Sequence, residues 1–585
     1  MAYGMDDRAS GPMVGWTRIG TGLAQGLALW ALTEIIDGKA GFSANPVLLG
    51  ALEAVAVFAP FVVLAGLADM RRRTLVLWGV AAAVVLAALG AHDIGRRVAQ
   101  TGAQWLAPET LAFLAAALFI AHHLVAGADA DRKPIARFAT YFDLAWKHGV
   151  QLAMSAGFVG VFWIVLFLGG ALFKLIGITL IADVIDKPWF AFPATGTMFA
   201  AAVQLTDVRH GLIRGIRTVA LTLLSWLLPV LVVLVGAFMA SLPFTGLEPL
   251  WKTKSAAAIL LSAAAIMVIL INAAYQDGEP DEPTPLVLRW AARAGGLLLV
   301  PLIAVAAYAV WLRVGQYGLT PDRIIATACV VAGVCYAVGY SVAALLPGPW
   351  MKPLEITNIV TAVVVVGLIL ALFSPLADPA RLSVNDQMAR IAAGRLAPDK
   401  VDYRFLRFES ERYGVAALKT LKAKGGEVGK RAGEALALDD RWARVSPSER
   451  PEGPKTVTVW PRDRSLPKAF LERRWLDDSM PEPRCNTTDD KCEATFADLN
   501  SDGREEILFA FRGSLAVFDE VKPGEWSLVA RSDSMNCYGD GVAVGEGKVT
   551  TLPAPWPDLS INGRRVPLAR EPQGCPEAGR AARAK

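Results

Sequence analysis

At least ten apolar segments, each roughly twenty residues long, fill residues 1–375, and a polar stretch of 210 residues with no such segment follows. A run of that length can cross a hydrocarbon core of ~30 Å. Lipid offers no partners to the backbone, so uninterrupted runs of this kind cross only as helices that satisfy their own N–H and C=O groups. The expected fold class is therefore mainly α: a polytopic transmembrane helical bundle of about 11 spans, then a short helical neck and a small, mostly β extramembrane domain. Segments 151–173, 218–240, 255–275 and 324–350 are the clearest, and none contains a charge.

Charge divides the chain at the same place. Of the 112 Lys, Arg, Asp and Glu residues, 45 lie in 1–375 and 67 in the shorter remainder. The tail balances 34 basic against 33 acidic residues, so it carries no net field to attract nucleic acid, and membrane lipids are the first partner to expect. The polar start, with Asp6 and Asp7, and the lack of a small-residue cleavage site after the first apolar run mark that run as a retained anchor.

The expected spans are 19–36, 46–67, 74–91, 107–126, 149–176, 192–205, 218–240, 255–275, 288–312, 324–346 and 357–373. The sixth is short and holds Pro193 and Gly196, so a re-entrant loop is its alternative. With the N-terminus in the cytoplasm, fourteen basic residues fall at cytoplasmic segments and span ends against eight on the other face, which supports that orientation. An odd number of spans then exports the tail. Ile135, Phe138, Phe142 and Trp146 recur at helical spacing and form either an interfacial helix or an extension of the fifth span.

Cysteines point the same way. Cys329 and Cys335 lie inside an apolar helix, whereas Cys485, Cys492, Cys537 and Cys575 are in a tail that has no His. That set fits two disulfides, 485 with 492 and 537 with 575 by spacing, in an oxidising compartment; a four-thiolate zinc site is the alternative.

Intramembrane polar groups are costly and default to function. Glu53 lies about two turns into the second span, Glu34 near the outer end of the first and Lys174 near the outer end of the fifth. A Glu53–Lys174 ion pair facing the bundle interior would let both stay charged; snorkelling to the headgroups is the alternative for Glu34 and Lys174. His122 and His123 sit near the inner end of the fourth span without metal-ligand spacing, and read as interfacial caps. Gly22 and Gly26, with Gly157 and Gly160, are candidates for close helix packing.

The neck is expected at 376–424, a charged linker at 425–453, and strands from 454 onward at 456–460, 507–511, 515–518 and 526–530. Between strands, Asp498, Asn500, Asp502 and Glu506 surround Gly503 at positions 1, 3, 5 and 9 of a candidate calcium loop. Phe509 at position 12 excludes a helical EF-hand, and a turn that binds nothing is the alternative. Without His, the tail cannot house a Ser-His-Asp or Cys-His hydrolase.

Three groups of residues, Gln316-Tyr-Gly-Leu-Thr-Pro-Asp-Arg323, Asp378-Pro-Ala-Arg-Leu-Ser-Val384, and Asp402-Tyr403 with Arg412-Tyr-Gly414, resemble a family of bacterial polytopic membrane proteins, domain of unknown function 4153. The resemblance implies a bacterial inner membrane and no particular activity. Within it, Tyr317, Gly318 and Pro321 suit a tight turn before a helix, and Arg323 and Arg381 are candidates to contact the tail domain. The expected function is envelope sensing, docking or scaffolding through a periplasmic C-terminal domain, with an envelope protein or glycan as partner and Ca2+ as the one candidate cofactor. A transporter or channel, and a membrane-embedded enzyme acting on lipid or glycan carriers, are the alternatives.

Overall fold

The computed structural model describes residues 12–38, 45–97, 105–207, 210–248, 250, 253, 255–278, 284–438, 457–471, 492–511, 514–532, 543–544, 546–550, 559–561 and 564–566, with the side chains of 12, 210–214, 559–561 and 564–566 outside that description. It divides into a helical unit, 1–443, and a C-terminal unit, 444–585, and each is described by itself.

The helical unit runs α1 (Pro12–Ile36), α2 (Pro46–Asp69), α3 (Arg72–Gly95), α4 (Pro108–Asp131), α5 (Phe138–Leu175), α6 (Leu180–Ile185), α7 (Pro188–Asp207), α8 (His210–Thr245), α9 (Ala256–Tyr275), α10 (Leu286–Tyr317), α11 (Pro321–Leu345) and α12 (Leu354–Leu372). Ten of these are long and apolar enough to cross a membrane, while α6 is too short and α7 is not apolar enough. The chain is therefore a multi-pass membrane protein. Its surface is correspondingly apolar, and on α5 Val161, Ile164, Val165 and Leu168 all point outward, where lipid rather than water would meet them.

The expected sixth span is a real helix, and its neighbours explain how a weak sequence holds that shape. Its 20 residues reach about 30 Å at 1.5 Å each. α7 lies antiparallel to α1, with Gly22 against the Gly196 carbonyl and Gly26 against Phe192 and Pro193 so closely that a Cβ on either glycine would collide with backbone. Gly157 and Gly160 meet nothing, so only the first pair of expected packing glycines is used. The interfacial stretch resolves as the start of the 38-residue α5, whose Phe138 and Phe142 are buried with Met267, Ile271, Leu302 and Tyr340 in the largest core cluster.

Beyond α12 the neck folds back as α13 (Pro379–Ala392), α14 (Tyr403–Phe408), α15 (Glu411–Lys424) and α16 (Gly426–Leu436). Asp378 caps α13 by accepting from the amides of Ala380 and Arg381, with Pro379 in the first turn, and Asp402 caps α14 through Phe405 N. α16 corrects the expected start of the linker. Gly425 and Gly426, at φ of +72° and +69°, reverse the chain, and Ala432 and Ala435 then bury against Leu418 and Leu421.

The C-terminal unit holds β1 (Val457–Trp460), α17 (Lys468–Leu471), β2 (Cys492–Ala497), β3 (Glu506–Phe511), β4 (Ser514–Lys522), β5 (Glu525–Ser532) and a separate hairpin of β6 (Leu559–Ile561) with β7 (Arg564–Val566). The five-stranded sheet follows chain order, with β1 parallel to β2 and the later neighbours antiparallel. Phe470 on α17 packs on Phe509 and Phe518, and every residue of β3 is buried. All four expected strands are present; β2, which Cys492 opens, and the β6–β7 hairpin are the ones not anticipated.

Candidate functional site

Two polar networks occupy opposite ends of the bundle. At one end the neck meets the transmembrane helices. Asp378, fully buried, accepts from His92 Nε2 at 2.9 Å and lies 3.8 Å from the Arg96 guanidinium. Burial pushes its carboxyl up, but the His92 hydrogen bond and the Arg96 charge outweigh burial and hold it below the usual carboxylate range. Arg96 also pairs with Asp93 at 2.9 Å, and Arg97 pairs with the same carboxylate, which further accepts from Thr110 Oγ1 and Ala107 N. Arg412 joins from α15, its amide donating to Arg96 O at 2.9 Å and its side chain to Gly95 O at 3.0 Å. Burial holds the neighbouring Glu411 carboxyl above its ordinary value, against the pull of Arg96 and Arg97.

The same neck grips the α10–α11 turn. Asp386 accepts from Leu319 N at 2.8 Å and from Arg390 Nε at 3.0 Å, Arg390 donates to Val314 O at 2.8 Å, and Ser383 Oγ donates to Leu319 O at 2.7 Å. Gly318, at φ +81°, ends α10, and a Cβ there would stand 2.7 Å from the Asp386 carboxylate. Pro321 starts α11. Arg323 donates to Gly318 O at 2.6 Å and covers Tyr317, and Arg381 donates to Leu376 O at 2.9 Å, so both arginines fasten local turns. Gly414 fits where α15 presses on the Leu406 carbonyl. The quoted sequence words thus converge on one seam between neck and bundle.

Glu53 is buried beside that seam, its carboxylate accepting from Leu106 N at 3.0 Å. Lys174 is exposed at the end of α5 and Glu34 is half-buried on α1. The expected Glu53–Lys174 pair does not form, because the short 105–107 segment, rather than α5, closes over Glu53.

At the other end, five helices bring ionisable groups together. Arg18 of α1 bonds Asp207 of α7 at 2.9 Å and Gln204 at 2.7 Å. Lys147 of α5 spans Asp207 at 3.4 Å and Asp69 of α2 at 2.8 Å. Asp69 accepts from His148 Nε2 at 2.8 Å, His148 Nδ1 lies 2.9 Å from His123 Nε2, and His123 Nδ1 lies 2.6 Å from Phe119 O. Trp78 donates to His122 Nδ1 at 3.2 Å. The reading of His122 and His123 as caps is thereby corrected: they are buried, and His148 arrives from the next helix to meet His123. His92, His148, Asp69 and Asp207 escaped the sequence reading, although Asp69, His148 and Asp207 all lie at span ends assigned to one face.

In the C-terminal unit the carboxylates of Asp498, Asp502 and Glu506 come within 4.8 Å of one another. Asn500 Oδ1 accepts Asp502 N at 2.8 Å, and Asp498 Oδ2 accepts Gly503 N at 3.0 Å, so the loop's own amides hold its oxygen side chains in place. Next to β1, Val457, Val459, Arg462, Arg464 and Leu466 line an open cleft of about 450 Å³. Cys485, Cys537 and Cys575 lie outside the described residues.

A many-helix apolar bundle with a neck sealed onto one end defines a polytopic membrane protein with an attached extramembrane unit. More narrowly, the chain belongs to the family described as Domain of unknown function (DUF4153), whose match covers residues 54–421, from within α2 to within α15. The match takes in the whole neck seam and stops before the β sheet. No curated protein matches the chain. No solved structure matches it either.

Proposed function

We propose that this is a bacterial inner-membrane protein that senses, docks or scaffolds envelope components through a periplasmic C-terminal domain, with the bundle as its anchor. The observation that carries this reading is the neck seam. Asp378, Asp386, Ser383, Arg390 and Arg412 all bond to α3 or to the α10–α11 turn, so the neck is an extension of the bundle rather than a tether. A fixed neck suits a protein that must hold an extramembrane domain at the membrane.

The antiparallel α1–α7 pairing supports an odd number of crossings, with the neck then on the face opposite the N-terminus. A bonded sulfur at Cys492 supports an oxidising compartment on that face. The β1 cleft, which sets Val457, Val459 and Leu466 beside Arg462 and Arg464, is where an envelope protein or glycan would dock. The Asp498 loop is the place for Ca2+, a hard cation that takes several carboxylate oxygens.

Two measurements test this. Alkaline phosphatase fused after Lys585 should be active in intact cells, and activity only from a cytoplasmic reporter at that position would refute the exported tail. A photo-crosslinker at Arg462 should trap a discrete envelope component, whereas cross-links to cytoplasmic proteins alone would contradict docking on that side.

A second reading, a transporter or channel, draws on the buried Arg18–Asp207–Lys147–Asp69–His148–His123 chain, since ionisable groups within a bundle commonly mark an ion or proton path.

A further inference from the structure

We infer that His123, His148 and Asp69 form a buried site that binds one exchangeable proton. The argument is a count of donors. A backbone carbonyl only accepts, so the contact between Phe119 O and His123 Nδ1 at 2.6 Å requires a proton on Nδ1. The contact between His148 Nε2 and Asp69 Oδ2 at 2.8 Å requires a second proton, and the ring-to-ring contact of 2.9 Å requires a third. Two neutral imidazoles supply two. The chain Phe119–His123–His148–Asp69 is closed by acceptors at both ends, so it is complete only with one proton more than neutral rings and an ionised carboxylate provide.

Where that proton resides follows from the charges around it. Lys147, at 2.8 and 2.9 Å from the two Asp69 oxygens, favours an ionised Asp69 and so leaves the extra proton shared by the rings. Asp207 from α7 holds Lys147 and Arg18, so these four charges cancel among themselves. α3 contributes Trp78, and α4 contributes His122. Because Trp78 donates to His122 Nδ1, His122 is the neutral Nε2–H tautomer; that nitrogen is buried without a partner, and its ring centroid lies 5.5 Å from that of His123 and 5.9 Å from that of His148. Binding the proton therefore changes the cluster from neutral to a single positive charge.

Losing it has a mechanical consequence. With both rings neutral and both outer bonds kept, His123 Nε2 and His148 Nδ1 would face each other as two lone pairs across 2.9 Å. They must separate, and they belong to different helices, so the proton clamps α4 to α5. Exchange occurs from the Asp69–Lys147 end, whose side chains keep 14 % and 15 % exposure while His148 keeps 6 %. The inference stands apart from the envelope reading and survives if that reading fails.

The test uses the full chain in lipid bilayers with ring-15N histidine, of which there are five. Solid-state NMR from about pH 5 to about pH 9 should show one doubly protonated imidazolium shared by two coupled rings, lost in a single step. D69N should move that step to lower pH by about one unit or more, because the carboxylate stabilises the charged ring. H148Q should remove the doubly protonated signal of His123. Wild-type spectra in which both rings stay singly protonated throughout, or titrate independently, would overturn the inference whether or not the variants fold.

Discussion

The Asp378 carboxylate reaches back 286 residues along the chain to meet His92 Nε2 at 2.9 Å, in a place where Asp378 has no solvent exposure. One side chain therefore performs two tasks: it caps the first neck helix and it fixes that helix to the end of α3. Removing it leaves both an uncapped helix and two side chains, His92 and Arg96, without the carboxylate they share.

Asp378→Ala should destabilise the helical unit by about 3–5 kcal/mol, the usual result of leaving one partner of a buried ion pair uncompensated. Asp378→Asn should cost less, since its amide oxygen can still accept from Ala380 N. Chemical denaturation in detergent checks the order; equal losses would mean that the carboxylate charge alone matters, and no loss in Asp378→Asn would mean that the cap alone does.

The seam should also respond to pH. Asp378 titrates below its ordinary range when folded, so its contribution is complete above the unfolded carboxylate pKa and disappears as pH falls through the lower folded value. Glu411 has the opposite sign: its folded pKa is raised, so stability is lost as pH rises from the unfolded value through the folded one. Glu411→Gln should therefore raise the melting temperature at neutral pH and leave it unchanged in acid. A fall at neutral pH would show that the carboxylate is needed in its charged form.

Gly22→Leu should destabilise the α1–α7 pair by about 1–3 kcal/mol or more, as overpacking does, while Gly157→Leu should be neutral because open space surrounds Gly157. Thermal denaturation of the two variants side by side separates a specific contact from a general intolerance of bulk.

Calcium should raise the melting temperature of the C-terminal unit in the full chain, and Asp502→Asn should reduce that rise, because the mutation removes one of three clustered carboxylates. An unchanged melting curve with calcium would make the loop a turn only.

The spans, the neck helices before Gly425 and most of the sheet were legible because each rests on local pattern: long apolar runs, caps such as Asp402, and short apolar runs such as Ile507 to Phe511. The buried chain from Arg18 to His123 was not, because its partners are joined by packing rather than by sequence. Lys147 is 78 residues from Asp69, and Arg18 is 186 from Gln204. Nothing in a single chain records that α1 lies on α7 or that α2 faces α5. Glu53 was correctly singled out as buried but given the wrong partner, since a backbone amide of a short connection leaves no charge pattern to read. The seam residues were visible as family words, and their shared purpose emerged only when Gly318, Asp378 and Arg412 were seen to hold the same joint.

Hydrogen–deuterium exchange of the full chain in nanodiscs tests the fixed neck most directly. The seam predicts that amides of α13 and α15 exchange slowly, and that Asp378→Ala with Asp386→Ala accelerates both helices together while α9 stays protected. Rapid exchange of α13 and α15 in the wild-type protein would contradict a neck sealed to the bundle.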